Sequence, residues 1–419
     1  MNTNRNNRPR VVVTGLGAQS PLGALDKFWE NLKAGNSGVR RTSLFDPQNL
    51  EVQIAGEVDF EPSEYLDRKT ARRMSRASQL ALVAARMALK DSGMDQEAVA
   101  AEGDRVGVSI GTANAGFGTL VEISYQYTYH DRKPFPTSLI NGLPNMPGYY
   151  VSLEMSATGP LTTISTACAS GTQSIGYGLE LIHLGKADIV IAGGVDCLIR
   201  EEVMAAFDAM TVLTRSSNKF PEKASRPFDT NREGFVLGEG AGIFVLESLE
   251  HALQRDAHIY AEVLGHAASS DAQHIATPDE EGRGAQNAMR WALEDAQILP
   301  EQVNYINAHG TGTRINDPTE TRAIKQVFGK SAYKIPVSST KSMIGHCMGA
   351  AGTLEAIACV KSIQEDILHP TINLETPDPE CDLDYVPHES READIQIALS
   401  NSFGLGGQNA CLVLGKYNP

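Results

Sequence analysis

Residues 161–196 read LTTISTACASGTQSIGYGLELIHLGKADIVIAGGVD. A β-branched run comes first, then a small-residue turn around Cys168, then an apolar helical stretch through Ile182. The segment closes on an apolar strand with glycines, DIVIAGGVD. Near-continuous apolar strands flanking a helix are the pattern of a sheet buried on both faces. The same order recurs later. PVSSTKSMIGHCMGAAG at 336–352 leads into a helix from Thr353 to about Ile363, and IQIALSNSFGLGG follows at 395–407. Two such units make an internal repeat, with an N-terminal half at 1–253 and a C-terminal half at 254–419. No Ser/Gly/Pro linker separates them, so one compact unit is expected.

Outward from these units, further strands are predicted at Arg10–Thr14, Arg105–Ile110 and Gly242–Leu246. Thr70–Ser92 carries Met74, Leu80, Leu82, Val83, Ala85 and Leu89 at helical spacing and ends at Ser92-Gly93. A helix is also predicted from Gly284 to Ala296, burying Ala285, Ala288, Trp291, Ala292 and Ala296. Strands alternating with helices give an α/β fold class.

The chain has 419 residues, 42% hydrophobic and 21% charged, so a large core is available and disorder as the main state is excluded. Its net charge of −15 argues against nucleic acid as a partner, because phosphate neutralisation needs a basic face. No apolar run approaches the roughly 18 residues of a membrane span. The polar start MNTNRNNRPR is not expected to be a secretory signal, and its first nine residues are expected to be disordered. Six irregularly spaced cysteines suggest a reduced, cytoplasmic protein.

Three loops carry the residues suited to chemistry. Cys168 begins an apolar helix, where the helix dipole is expected to lower its pKa and favour the nucleophilic thiolate. A buried structural cysteine is the bland alternative. His309 stands in NAHGTGT, after a strand-like run and before a glycine-rich turn. Lys341 and His346 stand five apart in STKSMIGH, a Gly/Ser turn ill-suited to a core. A metal site fits poorly, with no C-x-x-C pair and no H-E-x-x-H, so none is expected. GLGAQS at 15–20 is half a dinucleotide fingerprint without the third glycine or the acidic partner, and reads as a tight turn. The Gly404–Gly407 loop lacks the lysine of a P-loop.

Together these loops resemble the condensing enzymes of the thiolase superfamily, specifically type II β-ketoacyl-acyl carrier protein synthases. The matching pieces are TACASG around Cys168, NAHGTGT around His309, STKSMIGHCMGAAGTLE around Lys341 and His346, and NSFGLGGQNA at 401–410. VVVTGLGAQSPLG, ADIVIAGGVD and SRPFDTNREGFVLGEGAG match as well, so the likeness runs from Arg10 to Leu414. It implies a thiolase-like fold of two duplicated βαβαβαββ halves in a five-layer αβαβα arrangement. The N-terminal half would hold the nucleophile with cap and dimer insertions, and the C-terminal half the His/Lys/His loops. It also implies a homodimer through about Leu161–Thr166.

The implied chemistry is a decarboxylative Claisen condensation on malonyl-carrier thioesters. Cys168 would carry the acyl group as a thioester. The backbone N–H groups of Cys168 and Phe403 would form an oxyanion hole, and Phe403 would gate the cysteine. His309 and His346 would donate to the enolate oxygen, with Lys341 keeping the local field positive and helping to fix His309 or an ordered water. Glu355, Asp317 and Glu320 would be buried acidic partners. The resemblance also implies an acyl carrier protein as partner, which is acidic and needs a local basic patch. Arg68, Lys69, Arg72, Arg73, Arg132, Lys133 and Arg215 are the candidates.

Some positions depart from the fatty-acid pattern. HGTGT replaces HGTST at 309–313, Asn114 stands at an acyl-pocket position that is usually apolar, and Leu405 replaces a usual Phe. Fatty-acid, type II polyketide and polyene pathways therefore stay open. The alternatives are a heterodimer subunit needing a partner chain, a CoA-dependent thiolase and, more distantly, a nicotinamide oxidoreductase. No cofactor is expected. A structural monovalent cation near the Gly-rich loop occurs in relatives, and the sequence alone does not place one here.

Overall fold

The computed structural model describes residues 8–419, so the disorder expected of the first residues falls outside the described chain except at Arg8 and Pro9. Ten strands and seven helices position the site. In the N-terminal half they are β1 Val11–Ser20, α1 Arg68–Ala71, α2 Arg76–Asp91, β2 Val106–Gly111, α3 Phe117–His130, β3 Leu161–Ile164, α4 Ser170–His183, β4 Ile189–Asp196 and β5 Gly240–Ser248. In the C-terminal half they are β6 Ala261–Ser270, α5 Arg283–Ala296, β7 Tyr305–Asn307, α6 Asn316–Phe328, β8 Val337–Ser338, α7 Ala351–Glu365, β9 Ile397–Gly404 and β10 Gln408–Gly415.

The pairing duplicates strand for strand. The first half runs β3-β2-β4-β5-β1 and the second β8-β7-β9-β10-β6. In each, the first two pairings are parallel and the last two antiparallel. The rows meet edge to edge where Val11–Val13 pairs with Ala261–Val263. Both halves therefore have the βαβαβαββ order that the resemblance implied.

Strand periodicity builds the layers. On β4, Val190 and Ala192 face a central core while Ile189 and Ile191 face an outer one. The central core holds α4 through Ile175, Leu179 and Ile182, and α7 through Leu354, Ile357 and Val360. Helix α2 covers the outer face of the first row, and α5 with α6 that of the second. The sum is five layers, αβαβα.

The long helix expected over Thr70–Ser92 is split. Ser75 caps a new helix by accepting the Ser78 N–H, which separates α1 from α2. Trp291, expected on the buried face of α5, is 46% exposed. Among the described residues no helix is long and apolar enough to cross a membrane.

The two central helices approach closely at Gly171. A Cβ there would stand 2.6 Å from the Gly349 carbonyl oxygen and 2.8 Å from Thr353 Cγ2. Gly171→Ala should therefore destabilise the protein by about 1–3 kcal/mol through overpacking. Urea unfolding checks this, and an unchanged midpoint would refute it.

Candidate active site

Each central helix starts with the same device, a 3₁₀ turn at Ala167–Ala169 before α4 and at Met348–Ala350 before α7. Their first residues, Ala167 and Met348, have φ of 50° and 49°. A non-glycine residue in that region is strained by about 1–3 kcal/mol and persists where the surroundings enforce it. Ser170 supplies some of that enforcement, accepting the Thr166 N–H at 2.8 Å and donating to the Ala167 carbonyl at 2.7 Å. The first turn presents Cys168, and the second follows directly on His346.

The three loops picked out from the sequence converge. The reactive atoms of Cys168, His309 and His346 lie within 4.8 Å of one another, all buried. His346 Nε2 is 3.0 Å from Cys168 Sγ, and the two imidazoles stand edge to face at 5.3 Å. The Met348 N–H donates to His346 Nδ1 at 3.2 Å. That nitrogen is therefore an acceptor, and the neutral ring carries its proton on Nε2, aimed at the sulfur. Lys341 Nζ donates to His309 Nδ1 at 3.3 Å, which fixes the same tautomer there. Burial holds both histidines well below their ordinary pKa, and Lys341 adds to this. The site thus offers two neutral Nε2–H donors beside a thiol.

Burial also pushes the Cys168 thiol up, to about 11. This reverses the expectation of a lowered pKa. Desolvation of a fully buried sulfur outweighs the helix end, the nearby Lys341 and two backbone N–H groups. Those N–H groups belong to Cys168 itself and to Leu405. The amide that reaches the sulfur from the β9–β10 hairpin is that of Leu405, two residues after Phe403. Phe403 instead sets its ring 5.8 Å from that of His309.

The acidic residues divide. Glu355 forms a fully buried ion pair with Lys341. Glu320 accepts the N–H groups of His309 and Gly310, both at 2.8 Å, and burial raises its pKa to about 7. Asp317 accepts from Phe228 and Gly312 and lies 3.7 Å from Arg232. Glu320 and Asp317 thus shape the histidine loop, and Glu355 alone pairs with the lysine. Asp196, to which the sequence reading gave no role, accepts from Thr112, Ala113, Asn114 and Gly349 at 2.6–3.1 Å. It ties the wall of the nucleophile to the turn after His346.

Asn114 contributes its backbone to that knot, and its residue is exposed. Cys168 belongs to an apolar cluster that includes Leu198, Ile199 and Met348, with Ala113 and Phe117 packed against it. A cavity of about 840 Å³ opens beyond Ala115 and Ile199, and Arg132 and Lys133 line it opposite Met74–Ala77. Arg68, Lys69, Arg72 and Arg73 are exposed on and just after α1, which leads into that wall. Arg215 is exposed too, but Asp208 compensates it at 2.7 Å. The Cys–His–His spacing would also suit a soft metal ion, yet the ammonium of Lys341 beside His309 disfavours a second cation there.

The comparisons with known proteins agree with this geometry. The family description "Beta-ketoacyl synthase, N-terminal domain" matches residues 8–252, and its C-terminal counterpart matches 260–375. The chain is 46% identical over 98% of its length to "3-oxoacyl-[acyl-carrier-protein] synthase 2" of Synechocystis sp., covering 99% of that protein. The protein of the same name from Coxiella burnetii is 46% identical over 97% of this chain and 98% of its own. Among solved structures, "The ishigamide ketosynthase/chain length factor" matches with a TM-score of 0.91 and 39% identity, over 98% of this chain and 100% of that one. A type II PKS ketosynthase in complex with its acyl-carrier protein matches at 0.90 and 35% identity, over 98% and 100% of the two chains.

A thiol with a raised pKa gives a direct check. Alkylation of Cys168 by iodoacetamide should quicken about tenfold per pH unit from 7 to 10. Lys341→Met should slow it at fixed pH, because the ammonium favours the thiolate. A rate flat across that range would contradict a buried, protonated thiol.

Proposed function

The chain belongs to the beta-ketoacyl synthase family, and we propose that it is a 3-oxoacyl-[acyl-carrier-protein] synthase joining an acyl group on Cys168 to a malonyl-carrier thioester. The observation that carries this is the pair of neutral Nε2–H donors flanking one thiol.

In the first half-reaction the Cys168 sulfur attacks the acyl thioester carbonyl. The carrier thiol leaves with the proton that Cys168 gives up. With a thiol pKa of about 11, that proton departs as the bond forms. His346 is a donor towards sulfur in this tautomer, so it stabilises developing thiolate charge and does not act as a base. The N–H groups of Cys168 and Leu405 face the oxygen of the tetrahedral intermediate. In the second half-reaction the malonyl group loses CO2, and the electron pair of the broken C–C bond forms an enolate. His309 and His346 hydrogen-bond its oxygen. The enolate carbon attacks the acyl carbonyl, the C–S bond to Cys168 breaks, and solvent returns a proton to the thiolate. Lys341 holds the His309 tautomer throughout.

The partner reading is an acidic acyl carrier protein at the exposed cluster of Arg68, Lys69, Arg72, Arg73, Arg132 and Lys133. A homodimer through β3 goes with it. That strand ends its row; its own Leu161 is exposed, and so is Leu153 on the Met146–Met155 helix packed against it. A cytoplasmic location suits six free cysteines.

A monovalent cation fits as well. Asn307 Oδ1 and Glu355 Oε2 are buried without a hydrogen-bond partner, and beside them Ser400 Oγ meets only the Cys359 thiol. Asn307 and Ser400 stand opposite each other across β7 and β9, on the side where α7 carries Glu355. Buried orphan oxygens of this kind call for an ion or a water. An ion there would neutralise the second oxygen of Glu355 behind Lys341.

Intact mass after incubation with acyl-carrier thioesters tests the main reading. Wild type should gain an acyl mass that Cys168→Ser does not, and loading of the serine variant alike would sink it. His309→Ala should still load, and should release CO2 from malonyl-carrier at least about 100-fold more slowly. For the cation, potassium or sodium should stabilise folding by about 2 kcal/mol over tetramethylammonium at equal ionic strength, if the ion is at tens of Kd. Identical melting curves would remove it.

A further inference from the structure

His369 lies outside the three loops, and neither condensing half-reaction uses it. It is fully buried, together with Tyr305, Asn307, Ser338 and Thr340. Its Nδ1 is 3.2 Å from the Pro370 carbonyl oxygen, an acceptor, so Nδ1 carries the proton. Nε2 is then an acceptor. Thr340 Oγ1 reaches it at 3.0 Å, and Asn307 Nδ2 at 3.2 Å. Asn307 Nδ2 also donates to Thr340 Oγ1 at 2.9 Å. The bonds run in one direction: Asn307 to Thr340, Thr340 to His369, His369 to Pro370. Tyr305 joins the same knot, with its hydroxyl 2.7 Å from Ser338 Oγ and 3.2 Å from His369 Nε2.

These partners are not scattered. Asn307 is two residues before His309, at the end of β7. Thr340 is the residue before Lys341, just past β8. A single imidazole therefore terminates the hydrogen bonds of the two chain segments that deliver His309 and Lys341. The segments are also joined by Ala308 N–H to the Ser338 carbonyl and by Ser339 Oγ to the Gly310 carbonyl, but the His309 and Lys341 side chains themselves meet through one hydrogen bond, Nζ to Nδ1 at 3.3 Å. We propose that His369 is a positioning residue that sets the spacing of Lys341 and His309, and with it the decarboxylation half-reaction. Burial holds the ring at a pKa of about 4, so it stays neutral and keeps its acceptor at working pH. The knot has no bond to the Cys168 turn or to His346. Acyl loading should not depend on it.

The inference rests on the condensing reading, and the test separates the two. His369→Leu removes the acceptor and leaves the donors of Thr340 and Asn307 buried without it. His369→Gln returns an acceptor near the Nε2 position. Both half-reactions are followed on the full-length dimer or monomer as it is purified: acyl mass on Cys168, and CO2 released from malonyl-carrier. His369→Leu should keep acyl loading within about twofold and lose decarboxylation by about 10²-fold, the scale expected of an ångström misplacement. His369→Gln should recover at least about a tenth of the wild-type decarboxylation rate, again on that scale. If His369→Leu does not fold, Thr340→Val, which removes the donor to Nε2 and keeps the side-chain shape, carries the test, with loading intact and decarboxylation slowed. An equal fall in both half-reactions, or decarboxylation within twofold of wild type in the folded His369→Leu or Thr340→Val, overturns the positioning role. A wild type that neither loads nor decarboxylates overturns the condensing reading itself.

Discussion

Two buried helices packed against each other between two sheets are the constraint on which the rest of the molecule depends. Helices α4 and α7 are buried over most of their surface, α4 showing only a partly exposed stripe at Gln173, Tyr177 and Glu180, so each is mostly apolar and has small residues where the two approach. Gly171 against Gly349 and Thr353 supplies that approach. Once the helices are locked, their N-terminal turns lie side by side. A thiol from one half of the chain then stands 3.0 Å from an imidazole of the other. The strained backbone at Ala167 and Met348 is held by the same packing.

The electrostatics follow from burial. A site sealed this well cannot keep many charges, and its lysine is paired with Glu355. The other groups are held neutral: two imidazoles pushed down, a thiol pushed up. Neutral donors suit a reaction in which negative charge arises on an enolate oxygen and then disappears. An imidazolium would bind the malonyl carboxylate as well and favour the ground state along with the transition state.

Much of this was legible in the chain. The repeat was visible because both central helices must be apolar and both begin with small residues. Cys168, His309, Lys341 and His346 stood out as polar or reactive residues in tight turns at strand ends. What escaped was decided by contacts between distant segments. The thiol pKa depends on how deeply the turn is buried, which the dipole argument did not include. The second backbone donor depends on the register of the β9–β10 hairpin, which brings the Leu405 amide to the sulfur. Asp196 and His369 gave no local signal, since an acid ending a strand and a histidine before a proline are unremarkable until their partners arrive from far along the chain. The split between α1 and α2 turned on one capping serine.

The convergence of the loops also orders events in time. Translation delivers Cys168 well before His309, Lys341 and His346, and domains fold as units while the chain is made. Cys168 therefore spends its early life without a single partner from the second half. Its sulfur meets the Leu405 amide only when the last strands, β9 and β10, have closed over it. On a half-made chain the same thiol has neither the burial that raises its pKa nor its imidazole neighbours, and the completed fold supplies both together.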